Sequence, residues 1–336
     1  MNQSESPRYP DFTEPVSITE NTETSEKKNY GFLINILLFA FTFFSTTIAG
    51  VFWANQDPYQ LSNFSFGLLY SFLILLVIST HEFGHYFAAR IHSVPVTLPY
   101  YIPFPFIFLN PFGTMGAVIR LKTKFYDRKA LFDIGVSGPI AGWITSVIIL
   151  VIGFTNLPPV NYLYGLHPEY AVSGIPESGF SFGYNLLFWT FEKIFASSSG
   201  VFMPPMNEVY HYPFLCVGWF GLLITSLNMM PIGQLDGGHI SYAMFGKKHI
   251  YPAYTFFAAL LFFGLLGLLQ FAGFNNIPGS VNWLVWALLI FFVIKIKHPP
   301  VFSEYDPPLG IGRMLVGWFT FFIFIISFCP VPVFEA

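Results

Sequence analysis

Long, nearly uncharged apolar runs are the strongest constraint on how this chain can fold. A helix rises 1.5 Å per residue and the hydrocarbon core of a bilayer is about 30 Å thick, so about 20 apolar residues suffice to cross it. Six runs fit or approach that pattern, at 30–53, 64–90, 131–154, 214–230, 252–272 and 281–296, and a seventh lies at 314–329. The 214–230 run is short and is followed by Pro231, which suits a helix ending inside the membrane. Backbone polar groups in lipid must be satisfied within their own segment. The expected fold is therefore an all-α polytopic membrane protein with six to seven transmembrane helices.

Composition agrees. Hydrophobic residues make up 54% of the 336 and charged residues only 10%, against about a quarter charged in a soluble domain. The net charge of −3 gives no footprint for nucleic acid. Cys216 and Cys329 both sit in apolar runs and provide neither a disulfide framework nor a cysteine metal site. Residues 1–28 are polar and lack hydrophobic periodicity. They are expected to be a disordered cytoplasmic tail ahead of a membrane domain at 29–332. The tail is unlike a signal peptide or an Arg-rich transit peptide, which favours a bacterial inner membrane over a plastid one.

Basic residues set the orientation. With the tail inside, Arg8, Lys27, Lys28, Arg90, Arg120, Lys122, Lys124, Arg128, Lys129, Lys247, Lys248, Lys295, Lys297 and Arg313 all fall inside, and only Lys193 of the fifteen falls outside. Two long loops remain. The inner one, 91–130, holds an apolar stretch at 98–109 interrupted by Pro99, Pro103 and Pro105, which suits the bilayer surface better than a helix. After it, 113–122 reads as a strand and as half of a membrane-associated β-hairpin. The outer loop, 155–212, has one short helical stretch at 186–195, expected to lie on the membrane face.

The chemistry is concentrated at His81-Glu-Phe-Gly-His85. Spacing of four on a helix puts both imidazoles on one face, one turn apart, where they can share a Zn2+. Glu82 stands where a general base acting on a zinc-bound water is usually found. Ionisable groups within a spanning segment cost about 2.5–3.5 kcal/mol each on insertion scales, which a metal partly offsets. A catalytic zinc needs a third protein ligand. Asp236, in Asn228-Met-Met-Pro-Ile-Gly-Gln-Leu-Asp-Gly-Gly-His239, is the best candidate, with a helix N-cap as its ordinary alternative and His239 as a rival ligand.

At these residues the chain resembles the site-2 protease family of intramembrane zinc metalloproteases. Three motifs carry the resemblance: His81-Glu-Phe-Gly-His85, Ser137-Gly-Pro-Ile-Ala-Gly142 and Asn228-Met-Met-Pro-Ile-Gly-Gln-Leu-Asp-Gly-Gly238. The flanks Gly113-Thr-Met-Gly-Ala117, Lys129-Ala-Leu-Phe-Asp133 and Lys297-His-Pro-Pro300 are most similar to the bacterial and chloroplast-type branch, and neither long loop resembles a PDZ domain. The resemblance implies one zinc held by His81, His85 and Asp236, with Glu82 as the general base and then the acid. It implies that Asn228 holds the substrate strand or the developing oxyanion, and that the hairpin containing Gly113 and Gly116 pairs with an unwound substrate. The substrates would be single-pass or other transmembrane proteins within the bilayer. A non-proteolytic metal scaffold or transporter is the alternative, but it predicts acidic or histidine residues on several helices. A di-iron desaturase would need several histidine boxes.

The remaining polar residues receive plainer expectations. Gly138-Pro139 and Gly142 suit helix packing. Asp133 is expected to pair with Arg128 or Lys129. His211 is expected at the interface, and His92, His167, His249 and His298 at the surface or interface.

Overall fold

A computed structural model describes residues 24–107, 110–123, 127–270, 273, 278–302 and 306–335. The expected disordered tail lies outside the described residues up to position 23, as do Arg8, Lys124 and Ala272. Its last part is corrected: the first helix, α1 (Thr24–Trp53), already includes residues 24–28. Glu26, Lys27 and Lys28 are good helix formers, and adding them to a helix already nucleated by the apolar run costs little.

The other helices are α2 (Leu68–Ile91), α3 (Arg128–Thr155), α4 (Asn161–Leu166), α5 (Tyr170–Ser173), α6 (Leu186–Ser199), α7 (Pro213–Asn228), α8 (Asp236–Phe245), α9 (Ile250–Gln270), α10 (Asn282–Leu289) and α11 (Ile311–Ser327). Among the described residues, four stretches are long and apolar enough to cross a membrane: Gly31–Trp53, Leu61–Ile91, Arg128–Thr155 and Asp236–Gln270. The helices at Pro213–Asn228, Asn282–Ile294 and Ile311–Ser327 are apolar but shorter. Many large side chains on these helices face outward, among them Phe41, Phe72, Ile148, Phe262 and Leu315. Outward apolar faces of this extent match a lipid solvent.

Helix ends are locally encoded. Asp127 caps α3 by accepting from the Ala130 N–H at 2.6 Å. Pro213 opens α7 at a position where no N–H is needed. Asn185 caps α6 by accepting from Phe188 N–H at 2.9 Å. That helix leaves Leu186, Trp189 and Ile194 exposed, in keeping with a helix lying on a membrane face.

The centre of the bundle is α2 against α3, and glycines set how closely they approach. A Cβ at Gly84 would lie 2.6 Å from the Ser137 carbonyl oxygen and 3.0 Å from the Gly138 Cα, so the two backbones touch there. Helix α7 packs against both α3 and α2, where Gly218 faces Leu150 and Gly221 faces Ser146 and Val77. Trp219, Phe220 and Leu215 of α7 are fully buried in the main apolar cluster with Tyr70, Ile74 and Leu150.

The expected strand exists and finds its partner in the proline-rich stretch before it. Strand β1 (Tyr100–Pro103) pairs antiparallel with β2 (Thr114–Val118), with Tyr100 opposite Val118 and Thr114 opposite Pro103. An isolated bridge, Val96 to Leu121, extends the hairpin. It is strapped to the helices: Ser45 Oγ donates to the Gly113 carbonyl at 2.7 Å, and Ser79 Oγ and Tyr101 Oη lie 2.7 Å apart. A second pair was not foreseen. Strand β3 (Phe180–Phe182) of the outer loop pairs antiparallel with the C-terminal β4 (Val333–Glu335). Three-residue strands from distant loops carry no periodic signal that a sequence could show.

Candidate active site

His81, Glu82 and His85 all lie on α2 and are buried, at 5%, 8% and 6% exposure. Asp236 comes from the far side of a tight turn. After α7 ends at Asn228, Pro231 prevents the helix from continuing, and Gly233 takes a positive φ of 56°. Gly233 lies so close to the Lys295 carbonyl that no side chain fits, and its own N–H donates to the Ile296 carbonyl at 3.0 Å. Helix α8 then begins with Asp236 as its first residue and Leu235 as its cap. Asp236 is thus not the N-cap. Its carboxylate instead points at the two histidines.

Three acceptor atoms converge. His81 Nε2 is 3.1 Å from Asp236 Oδ2, His85 Nε2 is 3.3 Å from the same oxygen, and the two Nε2 atoms are 3.1 Å apart. His85 Nδ1 donates to the Ile134 carbonyl at 2.7 Å, so in the neutral ring Nε2 carries the lone pair that a metal would take. Three ligands tetrahedrally arranged on a zinc at 2.0–2.1 Å would stand about 3.3 Å apart. The observed triangle fits that spacing, and the donor set of two imidazoles and one carboxylate fits catalytic zinc.

Gly138 and Gly142 do more than pack helices. A Cβ at Gly138 would overlap the His85 ring, and one at Gly142 would lie 3.1 Å from His81 Nδ1. Both glycines form the bed in which the ligand rings lie. Pro139 contributes no N–H to the α3 ladder. Close by, the Ile134 carbonyl accepts from both His85 and Ser137 Oγ.

These groups open on one cavity of about 510 Å³. His81, Glu82, His85 and Asp236 form part of its wall, Asn228 another part, and Thr114–Val118 of β2 a third. The Ile119 N–H, one residue past β2, reaches the Glu82 carboxylate. Gly113 has a φ of 75° and its α-carbon abuts α1 at the Ser45 carbonyl. Gly116, with a φ of 92°, faces open space. Of the seven residues named from the sequence, six line this cavity and Gly113 does not.

His239 is not in the ligand triangle, although it lines the cavity. Its Nδ1 donates to His298 Nε2 at 2.6 Å, and His298 Nδ1 donates to the Pro299 carbonyl at 2.5 Å. Burial, and then the neighbouring His239, push His298 down to about 3, so it stays neutral and can accept. This corrects the surface expectation for His298 and His249, which are 5% and 7% exposed. Asp133 is also corrected. It takes Arg313 bidentately, at 2.8 and 2.7 Å, together with His92 at 2.7 Å. Arg128 instead donates to the Ala243 carbonyl at 2.7 Å and lies over Phe302. Asp133 and Arg313 are 180 positions apart, so no local reading could have paired them.

The model of peptidase family M50 matches residues 69–271, which include every ligand candidate. The chain belongs to this family. It is similar to "Probable zinc metalloprotease EGY2, chloroplastic" of Oryza sativa subsp. indica, at 29% identity over 247 residues, covering 72% of this chain and 40% of the relative. It is also similar to "Probable zinc metalloprotease EGY1, chloroplastic" of Arabidopsis thaliana, at 25% identity over 334 residues, covering 93% of this chain and 55% of the relative. A third is "Probable zinc metallopeptidase EGY3, chloroplastic" of Arabidopsis thaliana, at 27% identity, covering 72% and 39%. This M50 chain thus spans about two fifths to just over half of the length of these relatives. With its long apolar helices it is a membrane protein. All three relatives are named as chloroplast proteins, and none lends support to the bacterial inner membrane favoured by the sequence.

Proposed function

We propose that this chain is a zinc-dependent intramembrane endopeptidase that hydrolyses peptide bonds in or near transmembrane segments of other membrane proteins. One observation supports this above all. The triangle of His81, His85 and Asp236, the Glu82 carboxylate and the edge of β2 share a single cavity between apolar helices. The unit comprises about residues 29–332, with six to seven spans and one zinc per chain. The N-terminal side faces the compartment that holds the basic loops, the cytoplasm or, in a plastid, the stroma.

His81, His85 and Asp236 would hold the metal, and zinc bound there would supply a Lewis acid that makes water a nucleophile near neutral pH. Glu82 takes the proton of the attacking water and returns it to the leaving amine nitrogen. Asn228 lies on the cavity wall, where its amide can donate to the substrate carbonyl. The substrate must leave its helix first, because helical carbonyls are already bonded internally. An extended segment can add to the edge of β2, which satisfies the backbone groups that unwinding exposes.

The experiment is cleavage of a single-pass substrate in reconstituted vesicles, with zinc measured in parallel. Glu82→Gln should retain zinc and lose activity by at least about 10²–10⁴-fold, the usual worth of a positioned base. Cleavage that survives either this substitution or full chelation would overturn the reading. Among the described residues nothing favours a transporter or metal scaffold.

A further inference from the structure

A second set of metal-type ligands lies at the other end of α7. His211 sits two residues before that helix begins and Asn228 ends it, so the two positions are about 25 Å apart at 1.5 Å per residue. His167 lies at the C-terminal end of α4, and Glu208 precedes the short helical turn of Val209–His211. His211 and Glu208 side chains are both 2% exposed, and that of His167 is 15% exposed. None of these belongs to the M50 motifs.

The hydrogen bonds fix where the protons are. His211 Nδ1 donates to the Trp53 carbonyl at 2.8 Å, which leaves Nε2 with its lone pair. His167 Nδ1 donates to Glu169 Oε1 at 3.0 Å, which leaves its Nε2 in the same state. Yet the two Nε2 atoms face each other at 2.9 Å. Glu208 Oε2 is 3.5 Å from His211 Nε2, and it is buried without any hydrogen-bond partner. The other oxygen, Oε1, accepts from Tyr170 Oη at 3.0 Å. With both imidazoles neutral and Glu208 ionised, three acceptors therefore meet within 4.8 Å of one another with no donor between them.

Such a meeting is repulsive unless a cation occupies it. The spacing brackets the roughly 3.3 Å expected between tetrahedral zinc ligands. The outer hydrogen bonds also have the form that orients metal ligands: one imidazole on a backbone carbonyl, one on a carboxylate, and a ligating carboxylate held by a hydroxyl. In the His81, His85 and Asp236 triangle His85 shares this feature, with its Nδ1 on the Ile134 carbonyl, whereas His81 Nδ1 is buried without a hydrogen-bond partner. We propose that His167, Glu208 and His211 form a second divalent transition-metal site, of a kind that takes Zn2+. It pins the outer loop to the end of α1 and the start of α7.

The site is tested on the full chain in detergent, stripped with chelator and then dialysed against Zn2+, with bound zinc measured by elemental mass spectrometry. Wild type should bind two equivalents. His167→Gln, Glu208→Gln and His85→Ala should each bind one. Added Zn2+ should raise the Tm of His85→Ala but not that of His85→Ala/His167→Gln. His167 lies at the partly exposed rim, so its substitution tests the site even if the more buried Glu208 variant misfolds, which the helical circular dichroism signal would reveal. If His167→Gln binds as much zinc as wild type, the site is refuted and a proton shared by the two imidazoles explains the contact. The metal at the catalytic site can fail separately. In that case wild type binds one equivalent, which His167→Gln loses and His85→Ala keeps.

Discussion

The glycine bed under the two histidines can be tested by adding a single methyl group. A Cβ at Gly138 would lie 2.5 Å from His85 Cδ2, with Cε1 and Nε2 closer still. Carbon contacts are comfortable at about 3.5–4.0 Å, so the ring would have to retreat by about 1 Å. Moving α2 away with the ring would open the close backbone contact of Gly84 with Ser137 and Gly138, which costs packing. Zinc sites tolerate about ±0.2 Å in ligand distance, so a 1 Å retreat removes His85 as a ligand. Gly138→Ala should therefore lower zinc affinity by at least about 100-fold, or about 2.8 kcal/mol, and lower cleavage with it. Gly142 is the internal control. Its added Cβ would meet His81 Nδ1 at 3.1 Å, His81 Cβ at 3.2 Å and His81 Cγ at 3.5 Å, which a shift of a few tenths of an ångström relieves. Gly142→Ala should lower affinity by less than about tenfold. Competition of each purified variant with a chromogenic zinc chelator measures both. If Gly138→Ala binds zinc like wild type, or if the two variants are equally impaired, the ring bed is not what positions His85.

Gly113→Ala should weaken the hairpin by about 1–3 kcal/mol, since a positive φ and the nearby Ser45 carbonyl both oppose a side chain. Zinc content should stay unchanged while kcat/KM falls, as measured on the same preparation. Gly116→Ala meets only backbone strain, with open space around it, and should show a smaller loss in the same assay. Arg313→Ala should lower Tm modestly, by the equivalent of about 1 kcal/mol, because the bidentate Asp133 pair is partly exposed. His298 is held at about 3, below the ordinary histidine value of about 6.5. Between those pH values the unfolded chain binds more protons, so its contribution to stability is present above pH 6.5 and is lost as pH falls toward 3. His298→Gln should flatten that acid-side slope in a Tm-versus-pH series, and an unchanged slope would rule His298 out as its source.

The inner cluster was legible because His81, Glu82 and His85 sit within five residues of one helix, where periodicity places the two histidines on one face. Asp236 was harder, since only the fold shows that α8 starts by aiming its first side chain at α2. The outer cluster was not legible. Glu208 and His211 are three apart, a helical spacing, but His167 lies 41 positions before Glu208 in a separate segment, and His167 and His211 each read as surface or interfacial residues. The role of Gly138 was half legible: small residues signal close approach, but the ring they approach lies 53 positions earlier. The long spans were plain from hydropathy, whereas the shorter α7, α10 and α11 depend on neighbours for burial. Trp283 of α10 and Phe324 of α11, for example, are buried in one cluster with Leu260 of α9 and the 229–232 turn.

Two opposite mechanical demands meet in the cavity. The ligands need rigidity, and Gly84, Gly138 and Gly142 supply it by leaving α2 and α3 no room to shift. The substrate needs an adaptable partner, because unwinding one helical turn frees about four backbone hydrogen bonds. Each unsatisfied group costs several kcal/mol in hydrocarbon. In an antiparallel pair, alternate residues turn their N–H and C=O toward the partner and away from it. β2 has five residues and one partner strand among the described residues, so its free edge offers at most about four to six backbone groups, and the Gly116 N–H and Thr114 carbonyl already bond Thr114 Oγ1 and Asn110 Nδ2. At most that number matches the bonds lost from about one turn. It limits the unwound stretch to a few residues beside Glu82, to which β2 is tied through Ile119. A substrate with a helix-weakening glycine or proline near the scissile bond has fewer bonds to give up, so it should be cleaved faster than one with leucine there at equal binding. The difference should appear in kcat rather than KM, because the extra cost falls on reaching the extended conformation inside the site. If leucine substrates turn over equally fast, strand addition at β2 is not the step that admits the peptide bond to the zinc.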